Sequence, residues 1–513
     1  MNRATRKDLQ GRCQILHQRI SAELGAQIED EGLRSDYAFI LFLRLLFTYF
    51  LQQQGLLDGD PGYLQTRLDR CRSVGQPFSL FLACLTLWGF GTPVEERTGF
   101  AGPLLGKVPY LSGSLFSPHP SERLQRGQAT WAVPGLSNQI FEEALATFER
   151  YRWTLVEEAG SDGAEGVITP AFLGTLAEHH VENRKRTGTY YTPVEICTYI
   201  VRETCEPLIL KQFEQLTGRH CDSVDHLLDS LDERDCALLL FVVLPTLAVL
   251  DPACGAGDFL VIVLDRMTDI YRRVIERAER LHHPLLDGWI ADFDRASPCR
   301  EFGLRHRVAC RNLYGVDIQQ APLDVTKLRL ALALLKSVGK YSDALALPNL
   351  DYRLPRGNSL VGLDRITERE QAILAGIHPG YGALVERWNG LVWLYQSAIG
   401  SPSTLAALRA EIDDCRAAAY RSLNQAFLAR MDRGRAERRG SGAGRTSRNR
   451  RSGPAFTLDD LLRLEPFHFA FDFDPVMNRD IGARLDGEEA EVVQVGGRFR
   501  VRFGPERTPP AAS

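Results

Sequence analysis

The chain has 513 residues, enough for two to four domains with real cores. Its 44% apolar and 25% charged content is ordinary for a globular protein, and a net charge of −4 excludes a global basic field, so any nucleic-acid surface must be local. Eleven cysteines with no C-x-x-C pair and no histidines at zinc spacing exclude a disulfide frame or zinc site; they read as buried thiols in a reducing compartment.

Met1 to Gln18 is polar and charged, unlike a signal peptide. The most apolar early run, Tyr37 to Leu51, carries Arg44 and is too short to span a bilayer. The expectation is a cytoplasmic chain with no membrane partner. Residues 1–165 read as a mostly helical domain. Phe39 to Leu51 is apolar on nearly every face, as in a helix buried in a bundle, and Gly55 with Asp58-Gly59-Asp60-Pro61 ends it. A loop-rich span including Gly106 to Phe116 follows, and Ser137 to Tyr151 reads as a closing helix.

Residues 180–364 read as an α/β core. Thr192 can cap a helix, with Pro193 at its first position and Glu195 completing a capping box. That helix should run to about Cys205. Capping alone leaves the preceding Gly188-Thr189-Tyr190-Tyr191 unexplained. Next comes the stretch that organises the chain, Ala248 to Leu264. An apolar strand ends on Asp251, a turn carries Gly255 and Gly257, and a helix follows from about Phe259 to Arg280. Glycines let the backbone bend sharply and let a ligand come close, while the helix amino terminus behind them suits a carboxylate or phosphate. Leu313 to Ile318 is a second short strand, ending on Asp317. Ala321 to Leu335 reads as another helix, and Leu347 to Leu360 as a strand and turn with Gly357-Asn358 at the turn. Strand, helix, strand, helix, strand at these spacings predicts a doubly wound, Rossmann-like parallel sheet.

Residues 365–431 read as a helical insertion and 432–455 as a basic flexible linker. Residues 433–451 hold eight arginines and one glutamate among Gly and Ser, a solvated linker that could also grip phosphates. Residues 456–513 return to the core through strand-like Leu464 to Phe473 and end in a frayed tail.

An acid ending the second strand can accept hydrogen bonds from both ribose hydroxyls. Asn358 can contact an adenine edge and Ile318 can pack on its ring, so the residues fit an adenosine-containing ligand. A dinucleotide fits less well. Asp251-Pro-Ala-Cys-Gly-Ala-Gly257 lacks the G-x-G-x-x-G spacing, and Asp317 lies much further on than the ~20 residues usual for that fingerprint's ribose acid.

Taken together, Thr187-Gly-Thr-Tyr-Tyr-Thr-Pro193, Leu250-Asp-Pro-Ala-Cys-Gly-Ala-Gly-Asp-Phe-Leu260, Tyr314-Gly-Val-Asp-Ile318, Leu347-Pro-Asn-Leu-Asp-Tyr-Arg353 and Gly357-Asn-Ser-Leu360 identify a family. The chain resembles the amino-terminal half of the large N6-adenine DNA methyltransferases of type IIG restriction–modification systems. The resemblance covers most of residues 35–475. It implies an incomplete methyltransferase sheet behind a helical front end, S-adenosylmethionine as cofactor and double-stranded DNA as partner. It also implies direct methyl transfer to the adenine amine without metal or covalent intermediate. Tyr191, Thr192 and Pro193 would lie against the cofactor. Asp251, Ala253, Gly255 and Gly257 would surround its methionine part, Asp317 and Ile318 would hold ribose and adenine, and Asn358 would meet the adenine amino edge.

The resemblance has two breaks. Nucleases of restriction enzymes pair an acid with a lysine two residues on, and neither Lys7 nor Lys107, the only lysines before residue 165, follows an acid at that spacing. The family's Asn/Asp-Pro-Pro-aromatic motif is also absent, Thr508-Pro509-Pro510-Ala511 being the nearest string. No catalytic residue is therefore assigned. A second chain supplying the catalytic motif and target-recognition domain is one expectation. A non-catalytic cofactor- or DNA-binding module, or a gene remnant, are the alternatives.

Overall fold

A computed structural model of the chain describes residues 3–97, 101–111, 116, 123–124, 131–132, 134–155, 166–180, 192–338, 346–400, 402–440, 456–477, 490–495 and 498–503. The amino-terminal region is helical, as its composition predicts. Asp30 caps the Glu31–Gln53 helix by accepting the Leu33 N–H, and every residue from Tyr37 to Gln52 except Ile40 is buried. Such all-round burial needs neighbours on every side. The Arg3–Leu24, Asn138–Phe148 and Gln320–Leu335 helices supply them, with Phe148 and Trp153 stacked edge-on around Tyr49.

The next helix is Val194–Thr217, ending at Gly218 with φ +70°. The predicted Thr192 cap is corrected. Pro193 is the boundary residue, with extended backbone and no side-chain cap, because the Ile196 and Cys197 N–H groups both bond its carbonyl. The helix also passes Cys205 and tolerates Pro207.

Val249–Asp251 pairs in parallel with Leu313–Gly315, register Val249 to Leu313. Asn312 positions the entrance to both strands, its buried amide donating to the Leu244 and Leu247 carbonyls at 2.7 and 2.6 Å. Parallel pairing continues outward through single bridges, Asp317 with Arg356 and Asn358 with Pro466. Among the described residues this falls short of the doubly wound sheet predicted. Pro355 has no N–H to donate, and the Phe467 N–H bonds the Val361 carbonyl rather than Asn358, which reduces the outer ladder to bridges. The strand expected through Phe473 is also corrected: Phe469–Asp472 is helical, and Phe467, Phe469 and Phe473 close around Tyr314 and Val316 on one sheet face.

Asp258–Leu281, Arg300–Arg311 and Gln320–Leu335 pack together beside the strands. A second helical body of Glu368–Ile377, Tyr381–Ser397 and Pro402–Gly440 has its own core around Trp388, Tyr395, Ile412 and Leu423. Its last helix continues to Gly440, so the start of the expected basic linker is helical; residues 441–455 lie outside the described residues. Ala490–Val495 and Arg498–Phe503 form an antiparallel hairpin. The expected frayed tail, 504–513, lies outside the described residues. All eleven cysteines are free. Among the described residues no helix is long and apolar enough to cross a membrane.

Candidate functional site

The strand Val249–Asp251 delivers its chain into a tight turn before the Asp258–Leu281 helix. Gly255 and Gly257 both take positive φ, +51° and +82°, a region side chains disfavour. Their surroundings differ. A Cβ on Gly257 would lie 2.7 Å from Thr326 Cγ2, whereas one on Gly255 would meet nothing within 4 Å. Gly257 is thus required by packing, and Gly255 leaves open space.

Asp317 reaches across to this turn. Its Oδ2 accepts the Gly255 N–H at 2.9 Å, and its Oδ1 accepts the Gln319 N–H at 2.9 Å. Asp251 Oδ1 accepts the Ala253 N–H at 3.1 Å, while its buried Oδ2 has no hydrogen-bond partner among the described residues. Burial pushes both carboxyls above the usual carboxylate range; backbone N–H groups oppose this, and among the described residues no lysine or arginine acts on either. Two strand-end acids therefore flank one glycine turn with no counter-ion among the described residues.

The structure brings Asp251, Ala253, Gly255, Gly257 and Asp317 together. Ile318 is next to Asp317 and 45% exposed, leaving an apolar face available to a ring. Thr192 and Pro193 lie at the head of the Val194–Thr217 helix. Cys197, whose thiol contacts the Thr192 carbonyl, is pushed up to about 11 by burial and then by the charges of Asp258 and Asp251. Tyr191 lies outside the described residues. Asn358 is two segments away from the turn strand. Its amide donates to the Leu464 carbonyl at 3.0 Å, and its side-chain oxygen accepts the Leu360 N–H at 3.1 Å. It holds its own turn rather than standing free for a ligand.

Sequence reading missed Thr326 and Arg329. Thr326 donates to the Gly255 carbonyl at 2.8 Å, and Arg329 to the Ala256 carbonyl at 2.7 Å and to Asp258 at 2.9 Å. Arg329 stands inside a leucine-rich helix, so the only available signal was a cation in an apolar stretch. A cleft of about 360 Å³ lies beside Val249–Asp251, lined by Ile200, Thr204, Leu208, Leu250, Phe259 and Val263.

Residues 231–356 match the family model of the MmeI DNA-methyltransferase domain. The matched stretch holds the glycine turn, both acids and Ile318, and stops before Asn358. A Methanocaldococcus jannaschii protein named as a type II restriction enzyme and methyltransferase is 25% identical over 508 aligned residues, covering 87% of this chain and 40% of the relative. The chain thus spans well under half of that relative's length. The solved structure of the type IIL restriction–modification enzyme MmeI in complex with DNA is 17% identical with a TM-score of 0.44, covering 69% of this chain and 40% of MmeI. The chain therefore resembles the large methyltransferases of type II restriction–modification, as its motifs imply.

Proposed function

We propose that this chain is the S-adenosylmethionine-binding part of a site-specific DNA methyltransferase acting on adenine N6. One observation carries the reading: Asp317 and Asp251, at the carboxyl ends of adjacent parallel strands, meet around the open Gly255 turn, with the Gly255 N–H on Asp317 at 2.9 Å. The match of this stretch to a DNA-methyltransferase family supports it.

The residues fit the cofactor. The unpartnered Asp251 Oδ2 suits the ammonium of a methionine moiety, and Asp317 suits the paired hydroxyls of a ribose. The space over Gly255 admits a ligand backbone, and exposed Ile318 suits an adenine face. When bound, the cofactor supplies a methyl group on a sulfonium. Thr192 and Pro193 would close the pocket from the helix head. An adenine contact by Asn358 would require its two internal hydrogen bonds to rearrange.

The sequence holds no Asn/Asp-Pro-Pro-aromatic motif to receive a flipped adenine and accept its amine protons. Among the described residues Val249–Asp251 pairs on one side only, and the apolar cleft beside it suits one more strand, which in this proposal a second polypeptide supplies together with that motif. The arginine-rich stretch 433–451 favours the runner-up, a non-catalytic module that binds the cofactor or DNA.

The ligand class is tested by photo-crosslinking labelled S-adenosylmethionine to the chain. S-adenosylhomocysteine should compete, and ATP or NAD should not; equal competition by NAD would reject the reading. Methyl transfer to duplex DNA, read as N6-methyladenine by mass spectrometry, should be weak for the chain alone. Robust transfer would reject the need for a second polypeptide.

A further inference from the structure

We infer that Arg329 and Thr326 are positioning residues that hold the glycine turn in its ligand-receptive form; the inference rests on the S-adenosylmethionine reading of that pocket. The helix Gln320–Leu335 begins three residues after Asp317, so it is anchored to one wall of the pocket and reaches the other. From it, Thr326 donates to the Gly255 carbonyl and Arg329 to the Ala256 carbonyl, at 2.8 and 2.7 Å.

Peptide units next to glycines at positive φ can rotate with little steric cost, so something must choose their direction. In a planar trans peptide the N–H points opposite to the carbonyl. Turning the Gly255 carbonyl onto Thr326 therefore turns the Ala256 N–H away from this helix. That N–H makes no hydrogen bond among the described residues, which leaves it a free donor at the turn. The Ala256 carbonyl, held by Arg329, fixes the next peptide, whose Gly257 N–H returns to the Cys254 carbonyl at 2.8 Å.

Arg329 suits the task because its planar fork reaches two acceptors at once, the Ala256 carbonyl and the Asp258 carboxylate. It is 6% exposed. The Ala171–His180 helix covers it: a Cβ on Gly174 would lie 3.3 Å from its Nη1 and 3.6 Å from Ala256 Cβ. A larger residue at 174 would press on both the brace and the turn.

The test uses the full chain with Arg329→Ala, Arg329→Lys and Thr326→Val. Arg305→Ala serves as control, because Arg305 is equally buried but bonds Asp265 and Glu301 instead of the turn. Calorimetric titration should show S-adenosylmethionine binding weakened about tenfold by Arg329→Ala, partly restored in Arg329→Lys and weakened severalfold by Thr326→Val. Arg305→Ala should lower the melting temperature without changing affinity. Hydrogen exchange without ligand should quicken across 252–258 in Arg329→Ala. Parent-like affinity in folded Arg329→Ala and Thr326→Val would overturn the inference, as would an equal loss in Arg305→Ala. If the parent binds no S-adenosylmethionine, the functional reading fails separately. The ligand-free exchange then still decides: unchanged exchange at the turn overturns the bracing role.

Discussion

Two pairs of acids, of one residue type and all largely withdrawn from water, live in opposite electrostatic settings. Around the second helical body, Asp351 pairs with Lys327 at 2.7 Å and accepts the Tyr395 hydroxyl, while Asp472 pairs with Arg416 at 2.7 Å and accepts the Tyr420 hydroxyl. At the glycine turn, Asp251 and Asp317 have only backbone N–H donors among the described residues, and one Asp251 oxygen has none of these. A buried carboxylate is costly unless paired. Where the chain needs an acid for architecture it supplies a cation and a hydroxyl. Where two acids have no cation among the described residues, a ligand is the complement we propose.

Breaking the compensated pair should have the largest effect. Asp472→Ala leaves Arg416 without its counter-ion; the arginine keeps 25% exposure, so the cost should sit near the low end for buried pairs, about 3 kcal/mol by urea unfolding. A change under about 1 kcal/mol would place Asp472 in the same class as the turn acids.

His468 sharpens the same side of the comparison. Buried against Asn424 and the Leu363 N–H, it is pushed down to about 3, first by burial and then by Arg416 and Arg430. A histidine with a depressed folded pKa takes up its proton only on unfolding. Stability is therefore complete above the ordinary value of ~6.5 and is lost as pH falls from there toward 3, by up to about 1.4 kcal/mol per pH unit. His468→Gln should flatten that slope in unfolding midpoints measured from pH 7.5 to 5. An unchanged slope would mean other groups control acid unfolding.

The smallest effect should come from the turn itself. Burial raises Asp251, so its ionised form opposes folding, and that penalty grows as pH rises through and above the ordinary carboxylate range. Asp251→Asn should stabilise the ligand-free chain by up to about 1 kcal/mol at pH 7.5 while weakening cofactor binding. Lower stability together with intact binding would mark Asp251 as structural.

Much of this site was legible because it is local. A strand ending on Asp251, glycines at 255 and 257 and a following helix are consecutive, and each residue type has a backbone reason to be there. Asp317 was legible for the same reason, as an acid ending a short strand. The brace was not. Leu328, Leu330, Leu332, Leu334 and Leu335 announce a buried helix, but which acceptors Arg329 and Thr326 reach depends on a turn about seventy residues earlier. The Thr192 capping box misled because the helix begins one residue later, with the Ile196 and Cys197 N–H groups bonding the Pro193 carbonyl. The strand expected through Phe473 failed because its aromatics found partners in Tyr314 and Val316 while the backbone turned helical. Asn358 was identified as a turn residue, but its side chain is spent on Leu464 and Leu360.

The contrast between the two pairs of acids is tested most directly by calorimetric titration of S-adenosylmethionine into three proteins: the parent chain, Asp317→Ala and Asp472→Asn. The parent should bind one cofactor per chain, Asp472→Asn should bind equally well, and Asp317→Ala should bind at least about tenfold more weakly. Equal affinity in all three would contradict the assignment of the ribose to Asp317, and no binding by the parent would contradict the cofactor pocket itself.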